Sequence, residues 1–334
     1  MKRSLLTRLA APVAFAFLIG SSAAACGASN VAGAGNAAEP DSAADATKIA
    51  SASKNGLVIA QENRITPNIT YLTAGNYASK LDVIGPLADQ PARPVLLYIH
   101  GGGWIAGSKE RMFLHFIPYL EMGMAIVNVG YRLGGVALAP AAVEDARCAL
   151  RWLYANGESY GLDTTKIVVS GHSAGGHLSL TTGMLEANSG LDRLCPVREP
   201  VTGPADGTLP EMPVAAIVNW YGITDVADLV TGPNAKQYAM AWMGNLPDWR
   251  TIADRVSPMN LIHDRLPPIL TIHGDADTIV PYAHATRLHA ALRTQGATER
   301  LHTVPAGGHG RFSLAQNTEA MTVIRNFLAA HGIL

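Results

Sequence analysis

The run "VVSGHSAGGHLSL", residues 168–180, carries a β-branched segment straight into Gly171, His172, Ser173, Ala174 and Gly175 and then continues with helical spacing. On its own it allows two readings: a strained turn that holds the Ser173 hydroxyl up for attack, or a plain strand-to-helix junction in an α/β domain. The pattern G-x-S-x-G gains meaning from a strand before it and a helix after it, and both are predicted here. Glycines flanking such a sharp turn remove the Cβ atoms that would clash there. The free N–H groups that open the following helix favour negative charge near the serine.

Working outward, "YIHGGGWIAG" (98–107) places consecutive glycines just after an apolar run. A flexible turn is the bland reading, but after a buried strand and upstream of the Ser173 turn such a loop can aim backbone N–H groups at a developing oxyanion. The donors would be Gly102, Gly103 and Ala174. Downstream, "GDADTIVPY" follows the predicted strand 268–274 and offers Asp275 and Asp277, and "AGGHGRF" follows the strand 300–305 and offers His309. The chain order serine, acid, histidine suits a proton relay at one sheet edge, with either aspartate as the acid.

From Thr66 onward, strands alternate with helices. Strands are predicted at 68–73, 80–85, 94–100, 124–131, 166–171, 214–221, 268–274 and 300–305, the later ones near-continuous apolar runs suited to a parallel sheet buried on both faces. Between them lie helical patterns, the clearest being "PAAVEDARCALRWLYANG" (140–157), with Pro140 in the first turn and Gly157 as a stop. The expected architecture is an α/β, mostly parallel, doubly wound sheet of about eight strands with helices on both faces and short cap-like insertions. The insertions are the Pro-rich stretch 196–213 and the stretch 225–265. Ligands of open α/β sheets sit at the carboxyl ends of the strands, so both read as substrate-side elements.

The N-terminus has the form of an export signal: Lys2, Arg3 and Arg8, then the apolar "LAAPVAFAFLIG", then "SSAAAC". Ala23-Ala24-Ala25-Cys26 resembles a bacterial lipobox, with Cys26 as the lipidated residue; ordinary cleavage after Ala25 is the alternative. The expected organisation is a signal at 1–25, an Ala/Ser/Gly-rich tether at 26–60 and a catalytic domain at 61–334, exported to the cell envelope, periplasm or medium. Any membrane attachment would be through that N-terminal lipid. Cys148 and Cys195 remain as a pair that either forms a disulfide or stays as buried thiols. With a formal net charge of -1 and no run of basic residues, a nucleic-acid partner is excluded. No Cys or His spacing fits a metal site, and no cofactor is expected. His100 is expected to steady the glycine loop, His177 to be packed, and His172 to point away from Ser173. His263, His284, His289, His302 and His331 show no partner pattern.

With "HGGGW", "GHSAGGHL", "HGDADTIVP" and "GGHG" in that order, the chain resembles the α/β-hydrolase superfamily over about residues 66–334. It looks most like the esterase branch that includes hormone-sensitive-lipase-type carboxylesterases, bacterial feruloyl and acetylxylan esterases, and kynurenine formamidases. The resemblance implies metal-free acyl transfer to water with Ser173 as nucleophile, His309 as base and Asp277, in preference to Asp275, as the acid. His172, where lipase-like members carry aspartate, and Trp104 after the glycines point to the feruloyl/acetylxylan side. The expectation is a hydrolase of short-acyl or hydroxycinnamoyl esters, small or polysaccharide-linked. A formamidase-type amidase and a binding protein on a hydrolase scaffold are the other readings. Trp104, Tyr221 and Trp242 are candidate walls of an aromatic substrate pocket.

Overall fold

The computed structural model describes residue 59 and residues 61–187, 189–196 and 210–334. The expected signal at 1–25, Cys26 and nearly all of the expected tether lie outside the described residues, as does most of the 196–213 stretch. Ile59 is half-buried against the core and its carbonyl accepts a hydrogen bond from Asn63 Nδ2 at 2.7 Å.

Each predicted strand is present: β1 (Asn63–Ala74), β2 (Tyr77–Pro86), β3 (Arg93–Ile99), β4 (Ala125–Val129), β5 (Leu162–His172), β6 (Ala216–Trp220), β7 (Ile269–Gly274) and β8 (Glu299–Val304). They form one sheet in the order β1-β2-β4-β3-β5-β6-β7-β8. β2 runs antiparallel to both its neighbours and every other pair is parallel. β1 begins before the predicted residue 68 because this edge strand tolerates Pro67 at a register shift between Thr66 and Ile69.

The continuous apolar runs have a simple cause. In β3, Val95, Leu97 and Ile99 face one core cluster while Leu96 and Tyr98 face the other. The helices are α1 (Phe113–Glu121), α2 (Ala141–Asn156), α3 (Ala174–Met184), α4 (Val226–Val230), α5 (Gln237–Met243), α6 (Trp249–Val256), α7 (Ala283–Gln295) and α8 (Leu314–Ala330). The first face takes α2 through Val143, Ala146 and Leu150, together with α3 and α7. The second takes α1 through Phe116, Tyr119 and Leu120, and α8 through Ala320, Ile324 and Phe327. The stretch 225–265 is largely helical, as α4, α5 and α6, where turns were expected.

Cys148 of α2 is joined to Cys195 by a disulfide. The neighbouring Arg147 forks onto Asp192, with Nε to Oδ1 and Nη2 to Oδ2 both at 2.8 Å, while its Nη1 donates to the carbonyls of Thr182 and Leu185. A buried charge pair is tolerable only when its remaining protons are satisfied in this way. Together these bonds hold residues 192–195 against α2 and α3.

The turn between β5 and α3 is pressed against the end of β3. A Cβ at Gly175 would lie 2.1 Å from the Ile99 carbonyl oxygen, and one at Gly171 2.3 Å from the same atom. Gly175→Ala is therefore expected to lower thermal stability by about 2 kcal/mol or more, the scale of core overpacking. Gly135→Ala, where nothing lies within 4 Å of the added carbon, should leave melting near wild type. Equal melting temperatures for the two variants would contradict this packing.

Buried histidines make a second expectation. Burial lowers His177 from its ordinary 6.5 to about 4, and lowers His172 to about 3 with help from the nearby His115, His100 and His309. Both are thus neutral in the folded protein at pH values where the unfolded chain already protonates them. Their contribution is present above pH 6.5 and is lost as pH falls through the folded values, by about 3 kcal/mol for His177. Melting temperature should drop between pH 6.5 and 4, and His177→Gln should flatten that slope; an unchanged slope in the variant would refute the assignment.

Candidate active site

Parallel β3, β5, β7 and β8 deliver their carboxyl ends to one edge of the sheet, and the candidate residues converge there. Ser173 sits at φ 57, ψ −122, a conformation that side-chain-bearing residues rarely adopt. Its N–H donates to the Trp220 carbonyl at the end of β6 at 2.9 Å, and its own carbonyl accepts from His177 N–H at 3.0 Å. Ser173 Oγ lies 2.8 Å from His309 Nε2, and His309 Nδ1 lies 2.7 Å from Asp277 Oδ2. Because a carboxylate accepts, Nδ1 carries the hydrogen and Nε2 is free to accept the serine proton.

The two aspartates separate clearly. Asp277 Oδ1 accepts from the backbone N–H groups of Ile279 and Val280 at 2.8 and 3.0 Å. Burial pushes its carboxyl up. Hydrogen bonds from His273 and His309, the His309 charge and the Val280 N–H outweigh that and hold it well below the ordinary carboxylate value. Asp275 instead caps the facing turn, accepting from Ala306 N–H at 2.7 Å.

The glycine loop lies beside Ser173. Gly102 and Gly103 have φ of 119 and 60, and a Cβ on Gly103 would lie 2.9 Å from the Tyr238 side chain of α5. Among the described residues, neither N–H is bonded to a protein acceptor. Ala174 N–H opens α3 immediately after Ser173. His100 holds the base of the loop, with Nδ1 2.8 Å from the Gly101 carbonyl and its ring stacked on Tyr131 at 4.3 Å.

Trp104 and Trp242 correct the expected pocket. Both are fully buried and stacked on each other at 4.2 Å. Trp104 Nε1 donates to His177 Nδ1 at 3.2 Å, and His177 Nε2 donates to the Val256 carbonyl at 2.7 Å. The pair anchors the glycine loop to α3 and α5 from below and offers no surface to a substrate. An indole buries more apolar area than any other side chain, so an isolated tryptophan beside a loop is drawn into the core unless something larger shields it. Trp249 at the start of α6 is half-buried, with the Arg250 guanidinium over its ring.

Tyr221 does flank the site, edge-on to His309 at 4.8 Å. With Tyr98, Trp220, Phe312, His115 and His172 it lines a cavity of about 310 Å³. His172 turns away from Ser173 into this wall, where Tyr98 Oη lies 3.1 Å from its Nδ1 and His115 stacks on it at 5.2 Å. His115 was not legible as a site residue, since helical spacing places it only on the outer side of α1. His273, four residues before Asp277, was also missed; its Nε2 is 3.3 Å from Asp277 Oδ2. Partners exist as well for histidines that showed no pattern: Asp228 for His284, Glu299 for His289, and the carbonyls of Met184 and Phe327 for His263 and His331. Among the described residues no group of His, Cys, Asp or Glu is arranged to hold a metal ion, and no helix is long and apolar enough to cross a membrane.

Comparison with known proteins adds the lineage. The family model described as BD-FAE matches residues 81–292, from β2 into α7. Esterase LipQ of Mycobacterium tuberculosis is 28% identical over 244 residues, covering 71% of this chain and 54% of its own. Esterase LipC of the same organism is 30% identical over 236 residues, covering 66% and 54%. The chain thus spans about half the length of these curated relatives. Among solved structures, a truncated carbohydrate esterase from gut microbiota superposes with a TM-score of 0.63 at 25% identity, covering 81% of this chain and 96% of that one. With the model matching more than half of the chain and the sheet order described above, this protein is an α/β-hydrolase-fold member of the BD-FAE family.

Proposed function

We propose that the protein hydrolyses carboxylic esters through a serine acyl-enzyme, with Ser173, His309 and Asp277 as the catalytic triad. The observation that carries this reading is the continuous hydrogen-bonded line from Ser173 Oγ through His309 to Asp277, at 2.8 and 2.7 Å, beside Gly102 and Gly103 N–H groups that have no acceptor among the described residues. Ser173 Oγ attacks the ester carbonyl carbon as its proton passes to His309 Nε2. The carbonyl oxygen takes the negative charge, met by the N–H groups of Gly102, Gly103 and Ala174, each donor worth ~3 kcal/mol in the transition state. The intermediate collapses, and His309 protonates the departing alkoxide. Water then gives a proton to His309 as it attacks the acyl carbon, and collapse of the second intermediate breaks the acyl–Oγ bond as His309 returns that proton to Ser173 Oγ, releasing the acid and free enzyme.

The substrate reading is an ester with a short acyl or a hydroxycinnamoyl group, its alcohol small or part of a polysaccharide. The cavity of about 310 Å³ beside His309 supports it, since aromatic walls from Tyr98, Trp220, Tyr221 and Phe312 suit one flat ring better than a long chain. The names of Esterase LipQ and Esterase LipC support ester hydrolysis, and that of the carbohydrate esterase supports an alcohol that is part of a polysaccharide. The Cys148–Cys195 disulfide and the charged, then apolar N-terminus support action outside the cytoplasm.

Initial rates on p-nitrophenyl acetate, butyrate and octanoate, methyl ferulate and acetylated xylan test the reading. Ser173→Ala should lower kcat by a factor of roughly 10⁴ or more, and Asp277→Asn by about 10³ or more. Asp275→Asn, which touches only the Ala306 turn, should stay within about threefold of wild type. Equal background rates for wild type and Ser173→Ala would reject ester hydrolysis. Mass spectrometry of the mature protein should find a lipid-modified Cys26; an unmodified N-terminus after Ala25 would instead indicate ordinary cleavage.

A further inference from the structure

His273 sits on β7 with its side chain fully buried. Its Nε2 lies 3.0 Å from the Val280 carbonyl and 3.3 Å from Asp277 Oδ2. A carbonyl can only accept, so Nε2 carries hydrogen and directs it between these two oxygens. Nδ1 is buried with no partner among the described residues. A buried polar atom left unpaired destabilises the fold, whereas an apolar side chain of similar shape would escape that cost. Stability alone therefore does not account for an imidazole here; its Nε2 contact does.

We propose that His273 is a positioning residue for the Ser173–His309–Asp277 line, its Nε2–H clamping the Asp277 carboxylate and drawing charge from the oxygen that faces His309. The inference rests on the ester-hydrolase reading for its kinetic consequence but not for its geometry. Asp277 Oδ1 is held by the Ile279 and Val280 N–H groups, and Oδ2 is shared between His309 and His273. The His273 clamp prevents the carboxylate from rotating away from His309 Nδ1. It also moderates the negative charge felt by the imidazolium that forms when His309 takes the serine proton. Removing the donor makes His309 hold a proton more tightly and less well aimed.

The other groups facing this line leave that sign unchanged. Tyr221 and Tyr238 face Asp277, and burial pushes both phenols up, so they remain neutral through the working range. His172 near His309 is held low by burial and is likewise neutral. Tyr282 packs edge-on against the His273 ring at 5.7 Å, and His284 lies near it with its own partner, Asp228.

The test compares wild type with His273→Phe and His273→Asn, which lack a donor at the Nε2 position, and with His273→Gln, whose amide N–H reaches near it. The readouts are NMR titration of the His309 imidazole and the pH profile of kcat/KM on p-nitrophenyl acetate, with folding checked by near-UV circular dichroism. The donor-less variants should titrate His309 about half a pH unit or more higher, move the acid limb of kcat/KM upward by the same amount, and lose about tenfold in kcat at unchanged KM. His273→Gln should match wild type. A merely structural role would lower the folded fraction without moving either midpoint, and folded donor-less variants with wild-type titration overturn the proposal. If neither donor-less variant folds, His273→Gln decides: a wild-type titration supports the clamp and a shifted one overturns it. A wild type with no ester turnover would remove the hydrolase reading, while the His309 titration would still decide the role of His273.

Discussion

The Ser173 turn rests on β3 at a distance that excludes any side chain at its two flanking positions. The Cβ of even an alanine at Gly171 or Gly175 would penetrate the Ile99 carbonyl oxygen. This one contact has several consequences. It brings the last residue of β5 and the first turn of α3 against the strand whose end carries the glycine loop, so the Ser173 turn and the glycine N–H groups become neighbours. It also leaves Ser173 no helical or extended alternative, and its φ of 57 is held by surrounding backbone bonds to Trp220 and His177. Strain of this kind, of order 1–3 kcal/mol, persists only where the neighbours over-determine it.

The rest of the site is built by layers behind Ser173, His309 and Asp277. Trp104 and Trp242 form a buried stack under the glycine loop, and His177 ties that stack to the end of α6 through Val256. The loop can therefore hold the positive φ values of Gly102 and Gly103, which glycine adopts without a Cβ clash, without depending on its own flexibility. On the other side, the turn after β7 folds back so that backbone N–H groups and His273 surround Asp277. Preorganised donors of this sort cost nothing at the moment of reaction, since their ordering accompanied folding.

Much of this was legible in local pattern. A parallel strand buried on both faces is written as an unbroken apolar run, and the strand-then-glycine sequences at 98–103 and 166–175 announce close backbone approach wherever they occur. Asp277 and Asp275 could not be told apart on the same terms, because both follow β7 in one turn and differ only in which way that turn points them. His273 was invisible for a related reason. Residues four apart in a strand lie far from each other, and only the reversal after Gly274 returns Asp277 to its side. The tryptophans misled because a sequence carries an aromatic residue's chemistry but not its depth.

The sequence by itself determined the α/β class, the order of the strands' carboxyl-end residues and the identity of Ser173 and His309 as neighbours of glycine-rich turns, since these follow from period, β-branching and the steric demands of glycine. Tertiary structure alone decided which aspartate meets His309, that Cys148 and Cys195 pair, that Trp104 and Trp242 are core, and that His115, His172 and Tyr98 share one wall with Tyr221. Those outcomes depend on distances between residues far apart in the chain, which are set by how helices pack on a twisted sheet and not by any local preference.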